Sequence, residues 1–576
     1  MKKVFPVVIV LVLIAVIGGI VVKDIYDRKY APSKEFLDYA SELGLGADEY
    51  SITLNDELLD SSRLGISVDG HVYLDADTVM ESVNSRFYYD QNENILIYSF
   101  PTAMNLYTPD QTAYTVKSWA GEEQKDSGRP AAVTKNGKLY IDADLVQENT
   151  QMDYKASTEP NRIMIRTQWG SCQTVTAGKE TAIRYKGGVK SSILRMAQEG
   201  EQFHLLAEYD KWYNVASDDG FIGWIAKKDA GDPQEAQTEA PAFEAPQYTS
   251  IKEDHKIDMA WHQVTNTSAN SSIAQVLGTA PGINTISPTW FYLADTQGKL
   301  GSIASSSYVQ TCHKAGIKVW ALLSNEFPNG DTRSFDSAKT DEVLGYTSKR
   351  QTLIRQVIAA VKSCGADGIN LDFESIDEAG ADDYVEFVRE LSIACRAEKI
   401  ILSVDNYVPK YTWYYNRREQ GVVADYVVIM GYDENTAGSQ APGPVASYSF
   451  VKEGIEDTLK VVDKSKVING IPFYSRVWST AADGSISSFA CGMTEAQSYL
   501  TDHNVTAQRQ ESTGLNYGKY VSDKDGATYE IWLQDKDSVQ DEVSLIRDYD
   551  LAGVAAWKIG FESGTDIWDV TAQVLK

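Results

Sequence analysis

Eight short apolar runs recur along residues 251–576, separated by segments long enough to form helices. The runs cover residues 256–262, 283–290, 318–324, 368–374, 401–407, 426–433, 467–474 and 553–560. Strands that alternate with helices indicate a parallel sheet, and eight such units predict an α/β fold of the (β/α)8 barrel type. A doubly wound open sheet is the alternative, although no glycine-rich phosphate loop follows the first run.

The fourth run ends in acidic residues, within the octet D-G-I-N-L-D-F-E at residues 367–374. If the strand continues through the octet, Asn370, Asp372 and Glu374 share one face, with neighbours about 6.6 Å apart. Carboxyl groups at such a short distance raise each other's pKa. A carboxyl group that stays protonated near neutral pH can act as a general acid. The alternative is a strand end whose carboxylates face solvent, which an isolated D-x-E would favour.

Three motifs, on the fourth, sixth and eighth runs, together resemble glycoside hydrolase family 18, the chitinase family. Asp367, Asp372 and Glu374 match three acidic positions of the family signature D-x-x-D-x-D-x-E. The segment M-G-Y-D at residues 430–433 matches the family motif M-x-Y-D, and Trp557 matches the tryptophan of the eighth strand. The order of the three motifs is more specific than any one of them.

The resemblance implies a retaining glycosidase that cleaves β-1,4-linked N-acetylglucosamine glycans by substrate-assisted catalysis. It implies that Glu374 protonates the glycosidic oxygen and later acts as a base toward water. The N-acetyl oxygen of the substrate would attack the anomeric carbon, an intramolecular step whose advantage can reach roughly 7–11 kcal/mol. Asp372 would orient the acetamido nitrogen, and Tyr432 would hydrogen-bond the acetamido oxygen.

Further residues are expected to bind the substrate. Trp557 would offer an apolar face to the sugar ring, and Asp433 would bind a hydroxyl group or orient Tyr432. Met430 belongs to the M-x-Y-D motif, and Tyr474 lies at the end of the seventh run. Core packing is the alternative for the aromatic residues, because inward-facing rings also fill barrels.

Asn370 departs from the family pattern, which usually has an aspartate at this position. An asparagine can hydrogen-bond Asp372 but cannot share its proton. Loss of a like charge should lower the pKa of Asp372, so we expect a shifted pH profile rather than loss of activity. Asp367 is expected to be a structural residue at the start of the strand.

The N-terminal segment is expected to be a membrane anchor. Met1-Lys2-Lys3 precedes an uncharged run at residues 4–22, and about 19 residues can span a bilayer as a helix. The lysines favour a cytoplasmic N-terminus. A cleavable signal peptide is the alternative, but no small-x-small site follows the run. We therefore predict a single-pass anchor at residues 1–23 in the cell membrane, with the catalytic domain on the cell-wall side.

Two smaller domains and a linker are predicted before the barrel. In residues 24–168, V-D-G-H-V-Y-L-D-A-D-T-V recurs 67 positions later as K-N-G-K-L-Y-I-D-A-D-L-V, which resembles the α+β stalk-like N-terminal domain of copper amine oxidases. Residues 169–230 have an all-β pattern that resembles a bacterial SH3-like domain, a module that often binds cell-wall peptide. Residues 231–250 are rich in Pro, Ala, Glu and Gln, a composition that predicts a linker.

Composition narrows the classes of function. The net charge of −28 argues against nucleic-acid binding, because a phosphate backbone would be repelled. The five cysteines show no C-x-x-C spacing and the six histidines form no H-E-x-x-H pair, so no metal or other cofactor is expected.

The preferred hypothesis is a surface-anchored N-acetylglucosaminidase of peptidoglycan. The opening W-H-Q-V at residues 261–264, the N-x-D-x-E variant and the SH3-like module resemble the bacterial branch of family 18 that acts on cell wall or spore cortex. A chitinase or an endo-acting β-N-acetylglucosaminidase is the alternative within the same class. A non-catalytic glycan-binding surface protein on the same barrel is the alternative from another class, because fold alone does not establish activity.

Overall fold

The computed structural model describes residues 5–576, so the first four residues of the predicted anchor 1–23, with their lysine pair, lie outside the described residues. The apolar run forms the helix Phe5–Lys29. Over Val7–Lys29 this helix is long and apolar enough to cross a membrane, and none of its apolar window is buried. The predicted helix is confirmed, whereas its place in a membrane stays a prediction.

The chain divides into two compact units. The first comprises Met1–Phe87, Tyr107–Tyr114 and Gln124–Ala245. The second comprises Tyr88–Leu106, Thr115–Glu123 and Pro246–Lys576. Parts of the segment 24–168, which the repeat grouped as one domain, therefore belong to the unit that contains the barrel. The pattern could not reveal this, because it reports local structure and not packing.

The sequence repeat in the first unit corresponds to two similar strand–helix turns. His71–Asp75 pairs antiparallel with Lys138–Asp142, and each strand ends in an aspartate that caps the next helix. Such a cap satisfies helix N–H groups that lack intrahelical partners. Both lie in an eight-stranded sheet. Its strands are Glu49–Leu54, Glu57–Leu58, Leu64–Val68, His71–Asp75, Ala132–Lys135, Lys138–Asp142, Asp153–Ser157 and Arg162–Arg166.

A second sheet of the first unit contains seven antiparallel strands around a buried apolar core. Its strands are Gly170–Thr176, Thr181–Arg184, Ile193–Ala197, Gln202–Glu208, Trp212–Ala216, Ile222–Ala226 and Gln234–Thr238. The last strand corrects the predicted linker 231–250, because Gln234–Thr238 pairs with the edge of Gly170–Thr176. Backbone pairing at an open edge needs no apolar side chains, which explains why composition missed it. The SH3-like assignment stays a prediction.

The second unit contains the predicted barrel. Its strands, labelled in chain order, are β1 (Ile257–His262), β2 (Thr285–Leu293), β3 (Lys318–Ser324), β4 (Gly368–Asp372), β5 (Ile401–Tyr407), β6 (Tyr426–Met430), β7 (Val467–Pro472) and β8 (Gly553–Trp557). All neighbouring barrel strands are parallel, and β1 pairs with both β2 and β8, which closes the ring. The longer helices of this unit are Ile273–Thr279, Ser306–Lys314, Ser337–Leu344, Thr347–Cys364, Ala381–Glu398, Arg417–Val423, Tyr448–Leu459 and Lys536–Asp548.

Several barrel strands end earlier than the apolar runs do. β4 ends at Asp372 and β6 at Met430, so Glu374 and Asp433 lie just beyond their strands. The backbone leaves the sheet there: Asp433 and Ser375 have φ of 60° and 54°, values in the left-handed region. Strand alternation therefore does not extend to Glu374, which corrects the geometry expected from the octet.

An insertion between β7 and β8 forms a five-stranded antiparallel sheet with one helix, Met493–Asp502. Its strands are Tyr474–Thr480, Ile486–Gly492, Gln508–Gln510, Leu515–Val521 and Thr528–Leu533. Val477, Leu500 and Ile531 are part of its own apolar core. Tyr474 opens this insertion and does not end the seventh barrel strand, because β7 stops at Pro472.

A five-stranded sheet formed early in the chain contributes to the second unit through residues 88–106. Its strands are Phe87–Asp90, Ile95–Ser99, Ala103–Tyr107, Ala113–Ser118 and Gly121–Asp126. Tyr88 donates a hydrogen bond to Asp383 at 2.7 Å, and Ser99 donates one to Glu386 at 2.7 Å. Both acceptors belong to the barrel helix Ala381–Glu398, so this segment covers polar groups on the outside of the barrel.

Candidate active site

Asn370 lies in the middle of β4 and is completely buried inside the barrel. Its Oδ1 accepts hydrogen bonds from Trp261 Nε1 at 2.8 Å and Ser287 Oγ at 2.9 Å. Its Nδ2 donates to Ser403 Oγ at 3.0 Å and to Asp405 Oδ1 at 2.6 Å. The amide thus connects four strands and leaves neither end of the side chain unsatisfied.

Asp372 ends β4 and is buried. Its Oδ1 has no hydrogen-bond partner within residues 5–576. Burial raises the pKa of Asp372 well above its usual range, and the charges of Glu374 and Asp405 raise it further. Asp405 of β5 lies beside Asn370, so the site holds a further carboxyl group although β4 has an asparagine at this position. The raised pKa favours the protonated form of Asp372, and its Oδ1 is free to accept a hydrogen bond.

Glu374 is held by main-chain and side-chain contacts just past the end of β4. Asn325, which follows β3, accepts from the Glu374 N–H at 2.9 Å and donates to the Glu374 carbonyl at 2.7 Å. The hydroxyl of Tyr407, the last residue of β5, donates to Glu374 Oε2. These contacts fix both the backbone and the carboxyl group, so Glu374 is pre-positioned in one orientation.

The carboxyl group of Glu374 titrates near neutral pH. Burial raises its pKa to about 7, the Tyr407 hydrogen bond lowers it, and the charges of Asp433 and Glu326 raise it. A group with this pKa is protonated in a useful fraction at pH 7 and can both give and take a proton. A surface carboxylate, the alternative for this residue, does not have these properties.

Aromatic rings form the floor beside these acids. Trp261 of β1 meets Trp557, the last residue of β8, with ring centroids 5.9 Å apart. The Tyr432 ring lies 6.5 Å from the Trp261 ring at an interplanar angle of 90°. Tyr432 is buried, and burial raises its pKa well above the usual range, so its hydroxyl group stays protonated. Together the rings form an apolar surface that ends in one hydroxyl group.

The remaining predicted residues line the same end of the barrel. Tyr474 donates a hydrogen bond to Asp433 Oδ1 at 2.5 Å. Its ring lies 6.2 Å from that of Tyr432. Met430 is buried at the end of β6 and pairs with Tyr407 across the sheet. All eight side chains predicted for the site therefore lie in or just beyond β4, β6, β7 and β8.

Two clefts open at this end of the barrel. The larger has a volume of about 800 Å³ and lies at the ends of β4, β5 and β6. Its lining includes Asp377, Tyr407, Tyr411, Tyr414, Asp433 and Glu434. The second, of about 420 Å³, lies at the ends of β1, β2 and β3 and is lined in part by Gln263, Tyr292, Glu326 and Arg333. Glu374 is linked to both clefts, because its partner Tyr407 lines the larger one and Glu326, whose charge raises its pKa, lines the second.

The family model described as Glycosyl hydrolases family 18 matches residues 298–562, a span that includes the octet, the M-x-Y-D segment and the tryptophan of β8. The barrel is a glycosyl hydrolase family 18 domain. It is an enzyme domain of the class that the three motifs indicated. Asp372 ends β4, the strand that carries the acidic signature, and Glu374 lies just beyond it.

Three similar proteins are bacterial. The family 18 domain resembles an uncharacterized glycosylase, YvbX, of Bacillus subtilis (strain 168), with 28% identity over 276 residues, 47% of this chain and 78% of that protein. A cortical fragment-lytic enzyme of the same organism is 23% identical over 241 residues, 40% of this chain and 55% of that enzyme. The C-terminal domain of a chitinase-like protein from Desulfitobacterium hafniense DCB-2 shares the fold, with a TM-score of 0.50, 22% identity and coverage of 56% of this chain and all of that one.

Three residues of the family 18 domain were not found from the sequence. Asp405 and Tyr407 lie in the run I-L-S-V-D-N-Y, and Asn325 directly follows β3. An aspartate inside an otherwise apolar run was the available signal, because a carboxyl group is seldom buried without a reason. Asp367 was recognised as structural, and its carboxylate accepts from the Val319 N–H at 2.9 Å, away from the catalytic end.

Proposed function

We propose that the family 18 domain hydrolyses the β-1,4 bond that follows an N-acetylglucosamine residue, with retention at the anomeric carbon. The supporting observation is the pair formed by Glu374, whose pKa is about 7, and Asp372, which has a free buried oxygen. A second carboxylate that acts as nucleophile is not required, because the acetamido group of the substrate supplies the attacking oxygen.

In the first step Glu374 donates its proton to the glycosidic oxygen, and the bond from that oxygen to the anomeric carbon breaks. The acetamido oxygen forms the new bond and gives a cyclic oxazolinium ion. Asp372 Oδ1 accepts the acetamido N–H, which satisfies the oxygen that otherwise lacks a partner. Tyr432 donates its hydroxyl proton toward the acetamido oxygen and holds it in line for attack.

In the second step the Glu374 carboxylate takes a proton from water, and the hydroxide equivalent attacks the anomeric carbon. Two inversions at that carbon give net retention. Trp557 packs against the sugar ring, and the buried Trp261 ring beside it helps to exclude water from the back of the site. Asp433 and Met430 border this floor, with Asp433 oriented by Tyr474.

We propose cell-wall peptidoglycan as the substrate. The two clefts linked to Glu374 suit a polymer that extends in both directions. One relative is named as a cortical fragment-lytic enzyme, and the apolar N-terminal helix would hold the domain at a membrane facing the wall. Binding of wall peptide by the seven-stranded sheet domain would add to this retention. Chitin is the alternative substrate.

The test is a digestion of purified peptidoglycan and of chitin oligosaccharides by the full-length protein in detergent. We expect new reducing N-acetylglucosamine ends from peptidoglycan and loss of release in Glu374→Gln. Glu456→Gln is the matched control, because Glu456 is a carboxylate on the outer helix Tyr448–Leu459. Faster release from chitin would indicate a chitinase. Binding of both glycans without any release would show a glycan-binding protein and refute the proposed hydrolysis.

A further inference from the structure

Asp405 is a third buried carboxyl group at the floor of the site, besides Asp372 and Glu374. It lies in β5, is 1% exposed, and accepts the Asn370 amide proton through Oδ1. Its Oδ2 has no hydrogen-bond partner among the described residues. Neither Asp405 nor Asp372 is paired with a lysine, arginine or histidine in this part of the chain.

A purely structural role does not explain this carboxyl group. Ser403 accepts one of the two Asn370 N–H groups at 3.0 Å, and an uncharged acceptor at position 405 could accept the other without the cost of a buried charge. Carboxyl groups buried together without a cation cannot all ionise, so protons must be distributed among them. Burial raises the pKa of Asp405 well above its usual range, as it does that of Asp372, but the hydrogen bond from Asn370 lowers the pKa of Asp405 and favours its ionised form.

The other titratable groups that face Asp405 are two tyrosines, Asp372 at the end of β4 and Glu374 just beyond it. The charge of Asp405 raises the pKa of Tyr384, on the helix Ala381–Glu398, and of Tyr432, which follows β6. Burial raises the pKa of both tyrosines well above the usual range, so they remain neutral around pH 7. The proton is thus shared among Asp372, Glu374 and Asp405, in the field of two further charges: Glu326 raises the pKa of Asp372 and Glu374, and Asp433 raises that of Glu374.

We propose that Asp405 is a positioning carboxylate, which carries the negative charge at the barrel floor and thereby keeps a proton on Asp372. This inference rests on the proposed substrate-assisted function. The protonated Asp372 accepts the acetamido N–H with one oxygen and offers its O–H to the Glu374 carboxylate that forms when Glu374 gives up its proton. Asp405 takes the place, from β5, of the carboxylate that Asn370 lacks on β4.

The isosteric variant Asp405→Asn tests the role of the charge. Without the Asp405 charge, Asp372 ionises at lower pH and becomes a like charge next to Glu374. The pKa of Glu374 then rises, and the alkaline limb of kcat/KM should move up by about one pH unit. KM should change little, because Asp405 is buried away from the clefts. Ser403→Ala is the control, since it removes one Asn370 contact without changing a charge, and its alkaline limb should stay in place.

The swap Asn370→Asp with Asp405→Asn returns one carboxyl group to the floor while it keeps the amide–carboxylate pair. We expect the swap to restore the wild-type alkaline limb and most of kcat. An unchanged limb in Asp405→Asn, or a swap no better than that single variant, would overturn the proposal. If Asp405→Asn does not fold, the swap alone decides, because a folded swap with a displaced limb also contradicts it. Turnover by Glu374→Gln would instead refute the proposed function.

Discussion

The Tyr407 hydroxyl group controls the acid strength of Glu374, and Tyr407→Phe tests this directly. The hydroxyl donates to Glu374 Oε2, and this bond lowers the pKa of Glu374, whereas burial raises it; with the bond in place the pKa is about 7. A hydrogen bond to a charged group contributes about 1.5–3 kcal/mol, and one to a neutral group about 0.5–1.5 kcal/mol. The bond therefore favours the ionised form by roughly 1–1.5 kcal/mol, which corresponds to about one pKa unit.

The assay is the pH dependence of kcat/KM on a soluble N-acetylglucosamine oligosaccharide. Glu374 must be protonated to act as the acid, so activity falls as pH rises through its pKa. We expect the alkaline limb near pH 7 in the wild type and near pH 8 in Tyr407→Phe. Tyr549→Phe, which removes a similar hydrogen bond from Tyr549 to Glu456 on the outer surface, should leave the limb in place. A limb that stays or moves to lower pH in Tyr407→Phe would refute the reasoning.

Three further predictions concern stability and binding. Asp258 lies in β1, where burial raises its pKa to about 8. Between pH 4 and 8 the folded protein therefore holds one more proton than the unfolded chain. As pH rises through this range, the folded protein loses up to about 1.4 kcal/mol of stability per pH unit. Asp258→Asn should therefore raise Tm more at pH 8 than at pH 5, and an equal change at both would contradict this. Tyr88→Phe removes the hydroxyl group that lies between Asp383 and Arg350, so it should destabilise the second unit by about 1–3 kcal/mol in denaturant unfolding. The control Tyr89→Phe removes an exposed hydrogen bond and should cost under about 0.5 kcal/mol. Trp413 is 70% exposed and lies on the loop that carries Tyr411 and Tyr414 of the larger cleft, so we expect its ring to stack against a sugar of the substrate. Trp413→Ala should therefore raise KM for polymeric substrate without lowering Tm, and an unchanged KM would exclude that role.

The barrel and its main acids were predictable because their signals are local. Each strand is a short apolar run, and the octet and the M-x-Y-D segment place Asp372, Glu374 and Tyr432 directly at strand ends. Parallel strands of one barrel bring their carboxyl ends together, so sequence order alone indicated which side chains meet. Strand lengths were less predictable, since the chain leaves the sheet at Ser375 and Asp433 through backbone conformations that apolar patterning does not report.

What the sequence could not reveal depends on contacts between distant residues. Asp405 belongs to the site because its carboxyl group accepts a hydrogen bond from Asn370 on the neighbouring strand. Residues 88–106 belong with the barrel because Tyr88 and Ser99 satisfy acids of a helix almost 300 positions later, and no periodicity encodes such a pairing. The insertion after β7 was not predicted either, because the eight apolar runs indicated only that the segments between them are long enough to form helices.

The most direct test of the central claim is the anomeric configuration of the first product. The full-length protein would be mixed with a β-linked N-acetylglucosamine oligosaccharide, and proton NMR would record the new reducing end before mutarotation. Substrate-assisted catalysis by Glu374 and Asp372 predicts that the β-anomer appears first and that Glu374→Gln releases none. Initial formation of the α-anomer would contradict the mechanism, because it would require direct attack of water on the glycosidic carbon.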